Sequence, residues 1–111
     1  MDTLEQYRNI IQQSLIELTR IPFAHGDIDM ETVFDRQSDR YLLVILGREN
    51  KRRIHSCLVH VDIINGKVWI QRDGTEDGIA NQLVQAGIPR EHIVLGFRSP
   101  ELRKHTDFAV A

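Results

Sequence analysis

Apolar residues at the start of the chain recur at the spacing of an amphipathic helix. Five of them, three or four positions apart, share one helical face: Leu4, Tyr7, Ile11, Leu15 and Leu18. Asp2, followed three residues later by Glu5, resembles a capping box. Pro22 pushes the residue before it out of helical geometry. The pattern therefore predicts a helix over residues 3–19.

The pattern then changes to short runs typical of strands. Residues 28–34 alternate weakly between apolar and polar side chains and predict a first strand. Residues 35–40 are polar and predict a turn. Residues 41–47 are apolar at successive positions, as in a strand buried on both faces. The polar segment around Glu49 and Asn50 then reverses the chain.

The strongest local signal is Asn65-Gly66, which lies between two β-rich runs and favours a two-residue hairpin turn. This turn pairs Ile64 with Lys67 and fixes which side chains share a face, because side chains alternate along a strand. One face is apolar and consists of Cys57, Val59, Val61, Ile63, Val68 and Ile70. The opposite face carries His60, Asp62, Trp69 and Gln71.

A second helix is predicted after the Asp73-Gly74 turn, with Thr75 as its N-cap and Gly87 as its left-handed C′ residue. A short strand over residues 92–97 and a partly ordered tail over residues 98–111 follow. A strand, a helix and a strand in succession indicate a crossover connection. The whole pattern predicts a single α+β domain over residues 1–111. It is a two-layer sandwich in which two helices pack on one face of a mainly antiparallel meander sheet of four to five strands.

Composition narrows the classes of protein. The 111 residues are 41% hydrophobic and 27% charged, which is ordinary for a globular domain. The formal charge of −2 lacks the basic excess of an autonomous nucleic-acid-binding domain. A single cysteine, Cys57, cannot form an intrachain disulfide, and no apolar run approaches the roughly 18 residues of a membrane span. We therefore expect a cytoplasmic protein without membrane association.

Candidate chemistry is sparse. His60 and Asp62 share a strand face and could ligate a metal or form a general base with its orienting acid, but a solvated or hydrogen-bonded pair on the open face of the sheet is the favoured explanation. Asp62 could also join an acidic cluster with Asp73, Glu76 and Asp77, although helix capping already accounts for the last three. Cys57 is predicted to be a core residue with a raised pKa. We expect no catalytic residue, no cofactor and no metal.

Trp69 and the cationic residues are the better candidates for a binding role. An indole is too large to be left bare, so the first helix, the tail or a second chain should cover Trp69. The candidate partner-binding residues are His60, Asp62, Trp69, Gln71, Arg98 and Arg103. Candidates for contact with nucleic acid or an acidic partner are Arg48, Lys51, Arg52 and Arg53, although charges near strand ends also discourage aggregation.

Long segments of the chain resemble the XisI-like family, the fdxN element excision controlling factors of cyanobacteria. The resemblance rests on residues 68–76, on the pairs 79–80 and 83–84, and on residues 87–97 and 106–111. It implies an accessory role beside a XisH-like, nuclease-related partner in controlling excision of a DNA element by a separate recombinase. It also implies that there are no catalytic residues to carry over.

Three hypotheses follow. The first is a non-enzymatic regulatory subunit that binds a XisH-like protein, is itself a homo-oligomer, with a dimer favoured, and reaches DNA through the partner complex. The second is a direct DNA-binding module that uses residues 48–53 and the tail. The third, and weakest, is a small metal-dependent phosphodiester hydrolase that uses His60, Asp62 and Glu76.

Overall fold

The order of helices and strands agrees with the sequence pattern. A computed structural model describes residues 2–21 and 27–111. Pro22, predicted to end the first helix, lies outside the described residues. The elements in chain order are α1 (Thr3–Leu18), β1 (Asp27–Asp35), β2 (Arg40–Glu49), β3 (Arg52–Ile64), β4 (Lys67–Asp73), α2 (Ile79–Gln85), a 3₁₀ helix (Arg90–His92), β5 (Ile93–Leu95) and α3 (Pro100–Arg103).

Within the described residues, the five strands form one sheet in the order β1-β2-β3-β4-β5. The first four strands are antiparallel neighbours, and β5 pairs with β4 in parallel after the α2 crossover. The predicted α+β class is confirmed. The last strand is shorter than predicted, because residues 90–92 form a 3₁₀ helix and a turn follows Leu95, where Gly96 N donates to Val94 O (3.1 Å).

The hydrophobic core lies between the sheet and the two longer helices. Tyr7, Ile11 and Leu15 of α1 are buried against it, as the helical spacing predicted. Ile79 and Leu83 of α2 complete the helical layer. The sheet contributes buried residues from every strand except β1: Tyr41, Leu43, Val59, Val61, Ile63, Val68, Ile70, Ile93 and Leu95. Among the described helices, none is long and apolar enough to cross a membrane.

The Asn65-Gly66 turn has the predicted register. Both residues have positive φ, 51° and 78°, and Ile64 pairs with Lys67. Two bulges then interrupt the alternation. In β3, Val59 pairs with Leu43 and Cys57 with Val44, so Leu58 is an extra residue between them. In β4, Gln71 is the extra residue, because His60 pairs with Arg72 and Val61 with Ile70.

The β3 bulge overturns the predicted position of Cys57. Cys57 lies opposite Val44, which alternates with the buried Leu43 and therefore points away from the helices. The extra residue at Leu58 reverses the alternation on the Cys57 side of the bulge. Cys57 is half-buried on the face opposite the core, and its Sγ lies 3.2 Å from Val59 O.

The start of α2 also differs from the prediction. Gly78 rather than Thr75 is the N-cap, and the helix begins at Ile79. Asp73 Oδ2 accepts from Ile79 N (2.8 Å), and Thr75 Oγ1 accepts from Gly78 N (3.1 Å), so both predicted capping residues act from the preceding loop. The helix ends at Gln85, with Ala86 as the C-cap, and Gly87 follows as the predicted C′ residue with a positive φ of 122°.

The tail is more structured than predicted. It forms α3, and Ala109 then bridges in parallel to Val94, with Ala109 N donating to Ile93 O (2.8 Å). The bridge lies on the side of β5 away from β4. The tail thus covers the β5 edge, whereas β1 forms the opposite edge of the sheet.

Candidate interaction surface

The face of the sheet that points away from α1 and α2 is called the open face. Cross-strand pairs and alternation from the buried positions define its side chains. On β3 and β4 it carries His60, Asp62 and Trp69, as the hairpin register predicted. Gln71 also lies there, although it is the extra residue of the β4 bulge, because its amide contacts Asp62.

Four of these residues and one from the tail form the Trp69 cluster: His60, Asp62, Trp69, Gln71 and Arg103. His60 Nε2 donates to Asp62 Oδ1 (2.8 Å), and Gln71 Nε2 donates to Asp62 Oδ2 (3.3 Å). Asp62 pairs directly with Trp69 across the hairpin. The Asp62 side chain is 13% exposed and that of His60 33% exposed. Both carboxylate oxygens of Asp62 therefore accept hydrogen bonds within the cluster.

The tail covers Trp69, which is one of the three outcomes that the sequence left open. The Arg103 guanidinium carbon lies 5.3 Å from the centroid of the indole. Arg103 also donates from Nε to Arg98 O and from Nη1 to Val110 O, each at 3.0 Å. Gly96 passes so close that an added Cβ would lie 3.2 Å from Trp69 Cε3. The indole remains half-buried, so part of the ring stays accessible.

Arg98 does not join the cluster through its side chain. Its guanidinium lies over the ring of Phe97, 5.3 Å from the centroid, and only its backbone carbonyl contacts Arg103. The structure therefore brings together five of the six predicted partner-binding residues and leaves Arg98 beside an exposed Phe97.

A second feature of the open face was missed by the sequence reasoning. Alternate residues of β2 form an apolar row, Leu42, Val44 and Leu46, that faces away from the core. Val33 of β1, 50% exposed, pairs with Leu42, and Cys57 of β3 pairs with Val44. Residues 41–47 carry the signal, because they are apolar on both faces, but the same pattern is typical of a strand buried between two layers. Burial raises the pKa of the Cys57 thiol.

The cationic residues at the turn between β2 and β3 form the basic hairpin: Arg48, Lys51, Arg52 and Arg53. All four are exposed. Arg48 and Arg53 lie directly opposite each other, an arrangement of like charges that destabilises a sheet. Within the described residues, no ion pair involves any of the four. The basic hairpin is thus an exposed, mainly positive patch, with Asp27 opposite Arg48 and Glu49 opposite Arg52 as its acidic neighbours.

The residues proposed for phosphodiester hydrolysis are not brought together. His60 and Asp62 lie on the open face, whereas Glu76 lines a cavity of about 480 Å³ with Leu18 and Met30 on the helical side of the sheet. The Asp73 carboxylate accepts hydrogen bonds from Thr75 N, Thr75 Oγ1 and Ile79 N. Among residues 2–21 and 27–111, no three His, Cys, Asp or Glu side chains are grouped as metal ligands.

Comparison with known proteins agrees with the resemblance in the sequence. The family model described as XisI protein matches residues 1–110. A XisI-like protein from Anabaena variabilis is 32% identical, with a TM-score of 0.88, over 98% of this chain and 100% of its own. The fdxN element excision controlling factor XisI from Anabaena variabilis is 33% identical, with a TM-score of 0.83, over 99% and 100%. The comparison with curated proteins gives no match. On these matches, which extend over nearly the whole sequence and the whole fold, the chain belongs to the XisI protein family.

Proposed function

We propose that this protein is a non-enzymatic controlling factor that acts with a XisH-like, nuclease-related protein to regulate site-specific excision of a DNA element. Membership of the XisI family and the similarity to an fdxN element excision controlling factor support the biological role. We place this role in the reducing cytoplasm, in line with the single, half-buried Cys57.

The observation that carries the binding role is the geometry of the Trp69 cluster. Asp62 accepts from both His60 and Gln71, so its carboxylate is held by neighbours rather than presented to a substrate. The half-buried indole packs against the Arg103 guanidinium and lies close to the Gly96 backbone. A preordered aromatic residue with a polar rim is typical of the centre of a protein interface. The cluster therefore supports recognition of a protein partner.

Co-expression with a XisH-like protein, followed by gel filtration, tests this proposal. We expect the two chains to elute in one peak. Trp69→Ala should weaken the complex at least tenfold, because interface tryptophans are frequent hot spots. Val33→Ala is the matched control, since it also removes exposed apolar surface but lies on β1. Two separate peaks for the wild-type chains would contradict the proposal.

Direct DNA binding is a second candidate, and the four exposed cations of the basic hairpin favour it. Each phosphate contact made by Lys or Arg releases counterions, which makes the affinity fall with salt. We expect the wild-type protein to bind duplex DNA at low salt, and Arg52→Glu with Arg53→Glu to reduce the salt slope by about two. Arg20→Glu, an exposed change at the end of α1, is the control. Absence of binding at low salt would exclude this function.

A further inference from the structure

We propose that the free edge of β1 binds an extended segment of another protein as an additional strand of the sheet, and that this segment carries Lys or Arg at alternate positions. The backbone of the segment pairs with β1, and its cations lie beside Asp29 and Glu31 on the open face. Addition of a strand to a sheet edge is a general mode of peptide recognition. The added strand extends the sheet on the side away from the Trp69 cluster, so the inference does not depend on the proposed XisH-like partner.

The two edges of the sheet differ in what covers them. The β5 edge is three residues long, and the tail bridges to it at Ala109. The β1 edge is nine residues long. Within residues 2–21 and 27–111, no backbone hydrogen bond outside the β1–β2 ladder reaches a β1 residue. Because antiparallel pairing uses both backbone groups of every second residue, the N–H and C=O groups of the alternate β1 residues remain available along this edge.

β1 lacks the features that usually prevent an edge strand from pairing. Protected edge strands are typically short or bulged, or they carry Pro or Lys. The register of β1 with β2 is unbroken over all nine residues, whereas the β2–β3 and β3–β4 ladders each contain a bulge. The sequence of β1 contains no Pro, Gly or Lys. Its protection is negative charge alone, which repels an acidic strand and attracts a basic one.

Two carboxylates in the middle of β1 have no cation beside them in the sheet. Asp29 pairs with Leu46, and Glu31 pairs with Val44. Both acidic side chains are exposed, and neither belongs to an ion pair within the described residues. Opposite charges on directly paired residues of neighbouring strands stabilise a sheet. A strand added outside β1 can therefore place a Lys or Arg beside each of the two carboxylates.

The acidic residues at the two ends of β1 are already compensated. Asp27 lies opposite Arg48, and Asp35 lies opposite Arg40. The need for cations is therefore greatest at the two central carboxylates, which are two positions apart on the same face. This spacing matches cations at every second residue of the added strand.

The same charges argue against a second copy of this chain as the added strand. Two β1 strands related by a two-fold axis through Glu31 place that residue against the second copy's Glu31. Moving the axis to Met30 or Thr32 places Asp29 against the second copy's Glu31 or Asp35. Like charges directly opposite each other destabilise a sheet. The edge therefore favours a partner of different, basic sequence.

The helical side of β1 determines the residues between the cations. Ile28, Met30 and Phe34 alternate with the acidic residues and are half-buried, and the last two pack against the core. Every second side chain of an added strand lies beside them, because side chains alternate between the two faces. Apolar residues at these positions cover the apolar surface that β1 leaves exposed. The segment therefore alternates cationic and apolar residues.

A short synthetic peptide of alternating Lys and Val tests the proposal, with titration calorimetry and NMR-detected hydrogen exchange of the full chain. We expect the peptide to bind at low salt and to slow exchange of the outward-pointing β1 amides at least tenfold, without changing the β5 amides. One control peptide has Glu in place of each Lys. A second is N-methylated at every amide, which keeps the cations and removes the backbone donors. Both should bind at least tenfold more weakly.

Three outcomes would overturn the proposal. The first is that the Lys-Val peptide does not bind, and the second is that either control peptide binds equally well. The third is that the β1 amides become protected without peptide as the protein concentration rises, because the added strand would then be a second copy of this chain.

Reversing the charge of β1 tests the position of the site. Asp29→Lys with Glu31→Lys should lower the affinity for the Lys-Val peptide at least tenfold and should create binding of the Glu-Val peptide, a gain that an unfolded chain does not give. The matched control is Glu101→Lys with Asp107→Lys, which makes the same change in net charge at exposed positions of α3 and the tail. It should keep the wild-type preference. A β1-reversed chain that still preferred the Lys-Val peptide would rule out this edge.

Discussion

At the scale of single residues, Asp39 links α1 to the turn between β1 and β2. Its Oδ1 accepts from Arg8 Nε (2.7 Å) and from the Tyr41 hydroxyl (2.9 Å), and its Oδ2 accepts from Arg8 Nη2 (3.2 Å). The bonds from Arg8 lower the pKa of the Asp39 carboxyl, whereas burial, followed by Asp39 itself, raises the pKa of Tyr41 to about 12. The Asp39 carboxylate thus connects its own turn to α1, through Arg8, and to β2, through Tyr41.

Asp39→Asn should reduce the free energy of unfolding at pH 7 on the order of 1 kcal/mol. Asn tolerates the left-handed backbone of this position, where φ is 53°, so the change isolates the charge. Because the folded pKa of Asp39 is lowered, its contribution is present above the ordinary pKa of about 4 and is lost as the pH falls toward the lowered value. The difference between variant and wild type should therefore shrink progressively as the pH falls below about 4.

Urea denaturation at several pH values measures this difference. Asp107→Asn, an exposed change in the tail, is the control and should have little effect on stability at either pH. A wild-type advantage over Asp39→Asn that stayed constant down to acid pH would show that the carboxylate charge is not what stabilises this junction.

At the scale of elements, the two bulges explain how far along β3 and β4 the sequence pattern predicts the face that each side chain occupies. Asn65-Gly66 fixed the register correctly for Ile63 with Val68 and for Val61 with Ile70. Beyond the bulge at Leu58, the same alternation put Cys57 on the wrong face. A leucine in the middle of a β-rich run carries no local signal for a bulge, because nothing in its chemistry demands one. The register was therefore predictable only as far as the first interruption.

The close approach of Gly96, two residues before the tail, to the sheet makes a second prediction. A Cβ at position 96 would lie 2.7 Å from Gln71 Oε1, 3.1 Å from Ile70 O and 3.2 Å from Trp69 Cε3. Because one of these neighbours is backbone, Gly96→Ala should lift the tail away from the indole. The fluorescence of Trp69, the single tryptophan, should then shift to longer wavelength and become easier to quench with iodide.

The control for this change is Gly66→Ala. Its φ of 78° makes the substitution strained, yet an added Cβ meets nothing within 4 Å. It should lower stability by about 1 kcal/mol and leave the emission spectrum unchanged. If Gly96→Ala kept the wild-type spectrum, or if Gly66→Ala shifted it equally, the tail would not be what covers Trp69.

At the scale of the whole molecule, the positions of the charged residues say more about nucleic-acid binding than the net charge does. The net charge of −2 argued against a basic nucleic-acid-binding domain, but it averages the acidic residues of β1 (Asp27, Asp29 and Glu31) with the basic hairpin. The pairing of β1 with β2 and of β2 with β3 places Asp27 beside Arg48, and Arg48 beside Arg53, at one end of the sheet. The strands and their order were predictable from periodicity. The cross-strand neighbours of each charge were not, because the turn between β1 and β2 spans residues 36–39, and the two-residue turn between β2 and β3, Asn50-Lys51, lacks the glycine that marks such a hairpin in a sequence.

The proposed partner surface predicts the composition of the assembly with the XisH-like protein. Each chain carries one Trp69 cluster, on β3, β4 and the tail. We therefore expect one XisH-like chain per protein chain. Val44→Glu, which changes the apolar row on β2 and leaves the cluster intact, should bind that partner with an affinity within about twofold of the wild type. Light scattering of the purified complexes gives the stoichiometry, and titration calorimetry gives the affinity. If Val44→Glu lost the partner while Trp69→Ala kept it, the partner would bind the apolar row rather than the Trp69 cluster.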